Sequence, residues 1–306
     1  MIGSADGEAK DEVMFKSILV PTMGFSSDPV ALETAVLLAR AFKGHLECVH
    51  VRPDSQQILI QAAGYDMGMG MGTQMVMGDL IDVLQREDAK RTERAQKTFE
   101  AFCKREALPL ATAPTGEPAA TAAWREASGR ESDILVAEAR VHDLTVFGNV
   151  TALGSLARTV AGTILINGGR PLLLAGPRAP KQIGKSVVVA WKPSPEAARA
   201  VSAAMPILTN AAKVTIATIA ENEEETANST EALVTSLRWH GINADISYMA
   251  HPAGPVQDTL LQCAKEANAD LLVMGAYGHS RLSEFVFGGV TRHVLGGAPM
   301  PVLLVH

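Results

Sequence analysis

The chain is poor in aromatic residues: Phe, Trp and Tyr together make up 5% of its 306 residues. Its core must therefore be built from Ala, Val, Leu and Ile. Cysteine is scarcer still. Cys48, Cys103 and Cys263 have no metal-ligand or redox spacing and read as buried or idle thiols of a reducing compartment. There is no basic excess. Lys and Arg number 27 against 33 Asp and Glu, a net charge of −6, which disfavours nucleic acid as a partner. No apolar run reaches the ~18 residues that a membrane-spanning helix needs. The first thirteen residues are polar and acidic, without the apolar stretch of a signal peptide. The expectation is a cytoplasmic protein without membrane contact. Apolar residues as a class are plentiful, at 47%, which excludes general disorder. The length suits two domains of about 150 residues.

Internal similarity supports that division. Lys16-Ser17-Ile18-Leu19-Val20 returns as Lys185-Ser186-Val187-Val188-Val189. Each is a short, β-branched apolar run and reads as a buried strand. A helix start follows each: Asp28-Pro29, with Asp28 as cap, and Ser194-Pro195-Glu196. Second strands are expected at 46–51 and 214–219. Third strands are expected at 108–113 and 244–249. Fourth strands are expected at 143–148 and 270–275, and fifth strands at 171–175 and 301–305. Strands alternating with helices imply βαβ crossovers and parallel sheets covered on both faces. The domains are placed at 14–176 and 184–306, joined by a short linker with Pro177 and Pro180. The first half carries a long insert, 54–79, before a charge-rich amphipathic helix over about 80–103. Within the insert, methionines cluster between Met67 and Met77. A flap packing on the other domain is the main reading, and a thioether site for Cu(I) the minor one.

The strongest motif follows the fourth strand of the second half: Gly275-Ala276-Tyr277-Gly278, nine residues, then Gly288-Gly289-Val290-Thr291. Glycines at a strand end let backbone approach a ligand, and a helix starting there favours an anion. Such a loop can cradle phosphate; it can equally serve tight turns and helix packing. Weaker candidates fail on context. Gly184-Lys185-Ser186 lacks the leading glycine of a P-loop, and a strand follows it. His279 has no oriented acid partner in the sequence and reads as a contact of the cradle.

The segment 270–305, DLLVMGAYGHSRLSEFVFGGVTRHVLGGAPMPVLLV, resembles the C-terminal signature of the universal stress protein family. That signature is Gly-x2-Gly-x9-Gly-(Ser/Thr), a helix, then Pro-Val-Leu-Leu-Val. The starts ILVP and VVVAW are similar to the family's first strand, so the resemblance extends over a tandem of two domains. It implies two doubly wound five-stranded parallel α/β sheets of order 3-2-1-4-5, packed as a pseudo-dimer through their fifth strands. It also implies a role in stress response and, in one branch, ATP binding, with Mg2+ as the accompanying ion. Carried onto this chain, the phosphates would meet Gly275, Gly278, His279, Ser280, Gly288, Gly289, Val290 and Thr291. A base would lie near Ala190, Trp191, Lys192 and Ile219, with Met274 beside the first glycine.

The chain departs from the family at the end of the first strand. There the ATP-binding branch has an acidic residue that accepts from adenine, and here stand Met23 and Lys192. A thioether accepts poorly and an ammonium not at all. The first half departs further: Gly148-Asn149-Val150-Thr151 lacks the second glycine, and Gly162-Thr163 is at most a remnant of a cradle. The expectation is a nucleotide-binding sensor or regulator in which the second half binds and the first is degenerate. Two alternatives stay open. One is a stress protein without nucleotide that acts through protein contacts. The other is a slow ATPase or nucleotidyl-transfer enzyme, against which stands the lack of a recognisable metal-holding carboxylate pair. Whether two chains pair into a homodimer is also open.

Overall fold

A computed structural model describes residues 15–53, 72–114, 116, 118–149, 154–219, 223–249, 254–276 and 289–306, with the side chains of 72–81, 154–156 and 223–225 left out. The first half runs β1 Ser17–Pro21, α1 Asp28–Phe42, β2 His45–Arg52, α2 Gly72–Glu106, β3 Thr121–Ser128, α3 Glu131–Val141, β4 Leu144–Phe147, α4 Gly154–Asn167 and β5 Leu172–Leu174. The second runs β6 Ser186–Trp191, α5 Pro195–Leu208, β7 Lys213–Ile219, α6 Glu223–Trp239, β8 Ala244–Met249, α7 Val256–Glu266, β9 Leu271–Gly275, α8 Gly289–Leu295 and β10 Val302–Val305.

The strands form one ten-stranded sheet of order β3-β2-β1-β4-β5-β10-β9-β6-β7-β8. Each half is therefore 3-2-1-4-5, and every pairing inside a half is parallel. The halves meet through their fifth strands. β5 and β10 pair antiparallel, with Leu173 opposite Leu303 and Leu172 opposite Leu304. That register sets a pseudo-twofold axis through the Leu173–Leu303 pair, perpendicular to the sheet.

Inner strands are sealed on both faces, which is why they read as unbroken apolar runs. Alternate residues feed two cores. Ile18, Val20, Leu173, Val187 and Leu303 enter one, and Leu19, Leu172, Val188 and Leu304 the other. Both cores cross the seam. Each fully buried aliphatic side chain there contributes roughly 1.5–3 kcal/mol, so the two sheets act as one body. The start of each first strand is clamped in the same way. Asp143 accepts from the N–H groups of Lys16 and Ser17, and Asp270 from those of Gly184 and Lys185.

Four expectations are corrected. The third strand of the first half is Thr121–Ser128, not 108–113. Pro109 has no N–H to give a ladder. The earlier segment makes only a bridge, Leu110 with Ala122, along the outer edge of β3. Asp28 is not the cap of α1. Ser27 holds that place, and the Asp28 carboxylate turns back to accept from Gly24 N–H at 2.7 Å. Gly162 and Thr163 lie inside α4, where the Thr163 hydroxyl donates to the Thr159 carbonyl. They form no cradle. The charge-rich helix is also longer than the 80–103 expected, spanning Gly72–Glu106. The methionine cluster lies outside the described side chains.

Candidate functional site

In the second half, α5 leaves the end of β6 and packs into the first core through Ala200, Val201 and Ile207. α8 follows β9 and packs into the second core, on the opposite face, through Val294 and Leu295. Neighbouring strands whose connections leave on opposite faces part at their carboxyl ends, and open parallel sheets bind ligands in that crevice. The register brings the expected residues to it. Ala190 lies opposite Met274, and Trp191 opposite Thr218. Ile219 ends the neighbouring strand and is half-buried.

The residues differ in what they can offer. Lys192 is exposed beyond the strand end. Trp191 has its indole N–H committed to the Ser229 hydroxyl at 2.9 Å, which fixes the ring against α6. Met274 is buried in the second core. Gly275 has a packing reason for being glycine. A Cβ there would stand 2.6 Å from the Ala197 amide nitrogen and 2.7 Å from the Glu196 carbonyl carbon. β9 thus passes against the first turn of α5, whose cap is the Ser194 hydroxyl accepting from Ala197 N–H. No heavy atom of the described residues lies within 4 Å of the Cβ position of Gly289, and Val290 is half-buried. Thr291 is buried at 3% exposure. Gly278, His279, Ser280 and Gly288 lie outside the described residues. Thr218 was not singled out from the sequence. Its buried hydroxyl, beside Trp191 in the register, has no hydrogen-bond partner among the described residues.

Residues 184–306 match the sequence model of the Universal stress protein family. The second half of this chain belongs to that family. A search of curated proteins finds no match. Among solved structures, a universal stress protein from Archaeoglobus fulgidus DSM 4304 superposes with a TM-score of 0.66 at 14% identity, covering 95% of this chain and 98% of that one. A functionally unknown protein from Pseudomonas aeruginosa PAO1 does so with a TM-score of 0.52 at 15% identity, covering 95% and 92%. These likenesses show that the fold of the whole chain is shared, the first half included. Among the described residues no helix is long and apolar enough to cross a membrane, and no group of three or more His, Cys, Asp or Glu is placed to hold a metal ion.

The universal stress protein domain at 184–306 has a counterpart crevice in the first half, at the ends of β1 and β4. That one is filled from within the chain. Gly148 follows β4 and packs against Ser27 as Gly275 packs against the start of α5; a Cβ would stand 2.8 Å from the Ser27 hydroxyl. Above the β1–α1 loop lies α2. Arg91 of α2 donates Nε and Nη2 to the Met23 carbonyl, both at 3.1 Å. Its guanidinium sits 4.8 Å over the Phe25 ring. The Arg91 carbonyl lies 2.5 Å from where a Cβ on Gly24 would be, at a φ of +73° that glycine alone adopts freely.

Charge in this corner is tuned by burial. The carboxyl of Asp28 is pushed up to about 6 by desolvation, against the pull of the Gly24, Met23 and Phe25 N–H groups and of Arg91. Burial also raises Glu131, with Arg91 acting the other way. His50 donates Nδ1–H to the Thr22 carbonyl at 2.6 Å. Burial holds its ring below the ordinary imidazole value. Its Nε2 lies 3.1 Å from the Thr92 hydroxyl of α2, which donates its own proton to the Asp88 carbonyl at 3.0 Å. Nothing in the sequence marked Arg91, His50 or Asp28 as partners, because they meet only when α2 folds back over β1 and β2.

Proposed function

We propose that the second half binds a nucleotide, ATP by preference, in the crevice between the ends of β6 and β9, and that the chain acts in the cytoplasm as a stress sensor or regulator. The carrying observation is the parting of α5 and α8 to opposite faces at this point, in a domain of the universal stress protein family whose sequence puts a glycine loop there. Gly275 lets β9 approach α5, and the space left at Gly289 among the described residues suits a ligand close to backbone. Ala190 and Ile219 would flank a base, and Trp191 would be a fixed wall. Lys192 is a donor where the family's base contact is an acceptor, so it would meet a phosphate. The residues fit a phosphate end better than that base contact, and any Mg2+ would be held by the phosphates.

A second reading has its own support. Trp191 has its polar group taken, the Lys192 and Met23 side chains offer no good acceptor to a base, and Gly275 is explained by packing. On that reading the chain acts through protein contacts without nucleotide. Mass spectrometry of small molecules released on denaturation, with calorimetric titration of ATP into washed protein, separates the two. Retained or titrating ATP, weakened by Gly278→Val, is expected. Absence of released ligand and of heat at sub-millimolar ATP would move the function to protein contacts. Turnover of ATP above the Gly278→Val control would point to an enzyme.

A further inference from the structure

Helix α2 is held in two ways along its length. Its last turns are anchored by apolar burial, with Ala95, Phe99, Phe102 and Cys103 all sealed from solvent. Between 82 and 94 no side chain is buried. Val83 and Leu84 are 53% and 41% exposed. A cleft of about 600 Å3 opens between this stretch and the ends of β2 and β3, lined by Arg52, Pro53, Leu84, Asp88 and Glu126. What ties the stretch to the sheet is polar: Arg91 to the Met23 carbonyl, Thr92 to His50, and Arg94 Nε to the Gly24 carbonyl at 3.4 Å. The equivalent helix α6 has 17 residues against 35 in α2.

Beneath the tie, hydrogen-bonding capacity is unused. The hydroxyls of Thr22 and Ser27, 1% and 4% exposed residues at the end of β1 and the start of α1, have no hydrogen-bond partner among the described residues, and neither does one buried carboxylate oxygen of Asp88, on the underside of α2 itself. Buried polar atoms are normally paired, so three orphans in one corner call for an explanation. They are acceptors or hydroxyls, set among Asp28, Glu131 and Asp88, whose charges all act on one another or on Arg91.

We propose that the 82–94 stretch of α2 is a latch over the first half's crevice and that Arg91 is its bolt. Held by polar bonds on an apolar-anchored stub, the stretch opens locally while the core stays folded. Opening frees the Met23 carbonyl and the Thr22 and Ser27 hydroxyls for a ligand that donates hydrogen bonds and carries positive charge. The chemistry is that of an organic ammonium or guanidinium, the group Arg91 supplies in the closed state. This holds whether or not the second half binds nucleotide.

The test uses the full chain carrying Ser27→Cys, the three native cysteines being buried; the Met23 carbonyl and the Thr22 hydroxyl remain to accept from a cationic ligand. Its reaction with iodoacetamide reads access to the crevice. Adding Arg91→Ala removes two charge-assisted hydrogen bonds and is expected to speed labelling about thirty-fold. Hydrogen exchange should accelerate over 82–94 and not over 99–106, and the urea midpoint should fall by no more than that thirty-fold change accounts for. Arg91→Lys keeps one donor and should fall between, which guards against a misfolded alanine variant. Millimolar methylguanidinium should slow labelling in the alanine variant and leave the parent unaffected. Unchanged labelling, a rise in exchange equal along all of α2, or no response to methylguanidinium would each overturn the latch.

Discussion

Asp28 offers a measurement of how strongly the first-half corner is desolvated. Its carboxyl is pushed up to about 6 from an ordinary 3.8, burial being the largest cause. A folded value above the unfolded one means that the contribution to stability is fully present below about pH 3.8. It is lost as pH rises through about 6. The full loss corresponds to about 3 kcal/mol. Over the practical window from about pH 5 to about pH 7.5 the linkage relation leaves about 1.4 kcal/mol to be seen. Asp28→Asn cannot titrate, so the variant lacks this term. Its stability also shifts by a constant, because the amide cannot accept every N–H that the carboxylate accepts. The constant and the slope separate cleanly. Urea unfolding of both proteins at half-unit pH steps gives the difference in free energy, and that difference should favour the variant increasingly by about 1.4 kcal/mol as pH rises. Other titrating groups are common to both proteins and cancel. A difference flat with pH would show that the loop N–H groups and Arg91 fully offset burial, and the account of this corner as a desolvated one would fail.

Three further outcomes follow from the packing. Gly275→Ala puts a methyl against the backbone of α5 and should cost about 1–3 kcal/mol in urea unfolding; a neutral result would return this glycine to a purely ligand-facing role. Asp270→Ala strips the acceptor from the Gly184 and Lys185 N–H groups and should cost about 2 kcal/mol by the same assay. Leu173→Ala and Leu303→Ala each empty a fully buried site on the pseudo-twofold axis and should each cost about 3 kcal/mol. Clearly unequal losses would show that the two halves do not share the seam symmetrically.

The inner strands were legible in the sequence because burial on both faces leaves only apolar residues along them; Val187 to Val189 and Leu271 to Met274 admit no other reading. The edge strand β3 was not. Half of its residues meet solvent, so Arg125 and Glu126 hid it, while the apolar stretch before it attracted the assignment despite Pro109. Both linking glycines, Gly148 and Gly275, were visible as residues but not as packing contacts, since what they touch is the first turn of a helix well over a hundred residues earlier in one half and about eighty in the other. Thr291 shows the same limit. Its hydroxyl suggested a donor, and only the packing of α8 shows that the residue is buried. The corner of Arg91, His50 and Asp28 depends on three elements converging and had no local signature at all.

The two halves share one framework and differ in what stands at its crevice. Each has the Asp clamp under its first strand and a glycine passing the first helix, and these fix the crevice walls irrespective of what fills them. The inward positions above the first core then diverge. In the first half Thr22 and His50 join a polar chain that reaches α2 through Thr92. In the second, Trp191 takes the place at the end of the central strand and bonds to α6 through Ser229, leaving Thr218 without a partner among the described residues. A neutral imidazole and an arginine close one side, whereas a single indole bond leaves the other with an exposed lysine at its mouth. Because α4 and α8 touch across the seam, the helix that follows each crevice rests on the helix that follows the other. A contact between α4 and α8 therefore joins the two halves in addition to the pairing of β5 with β10.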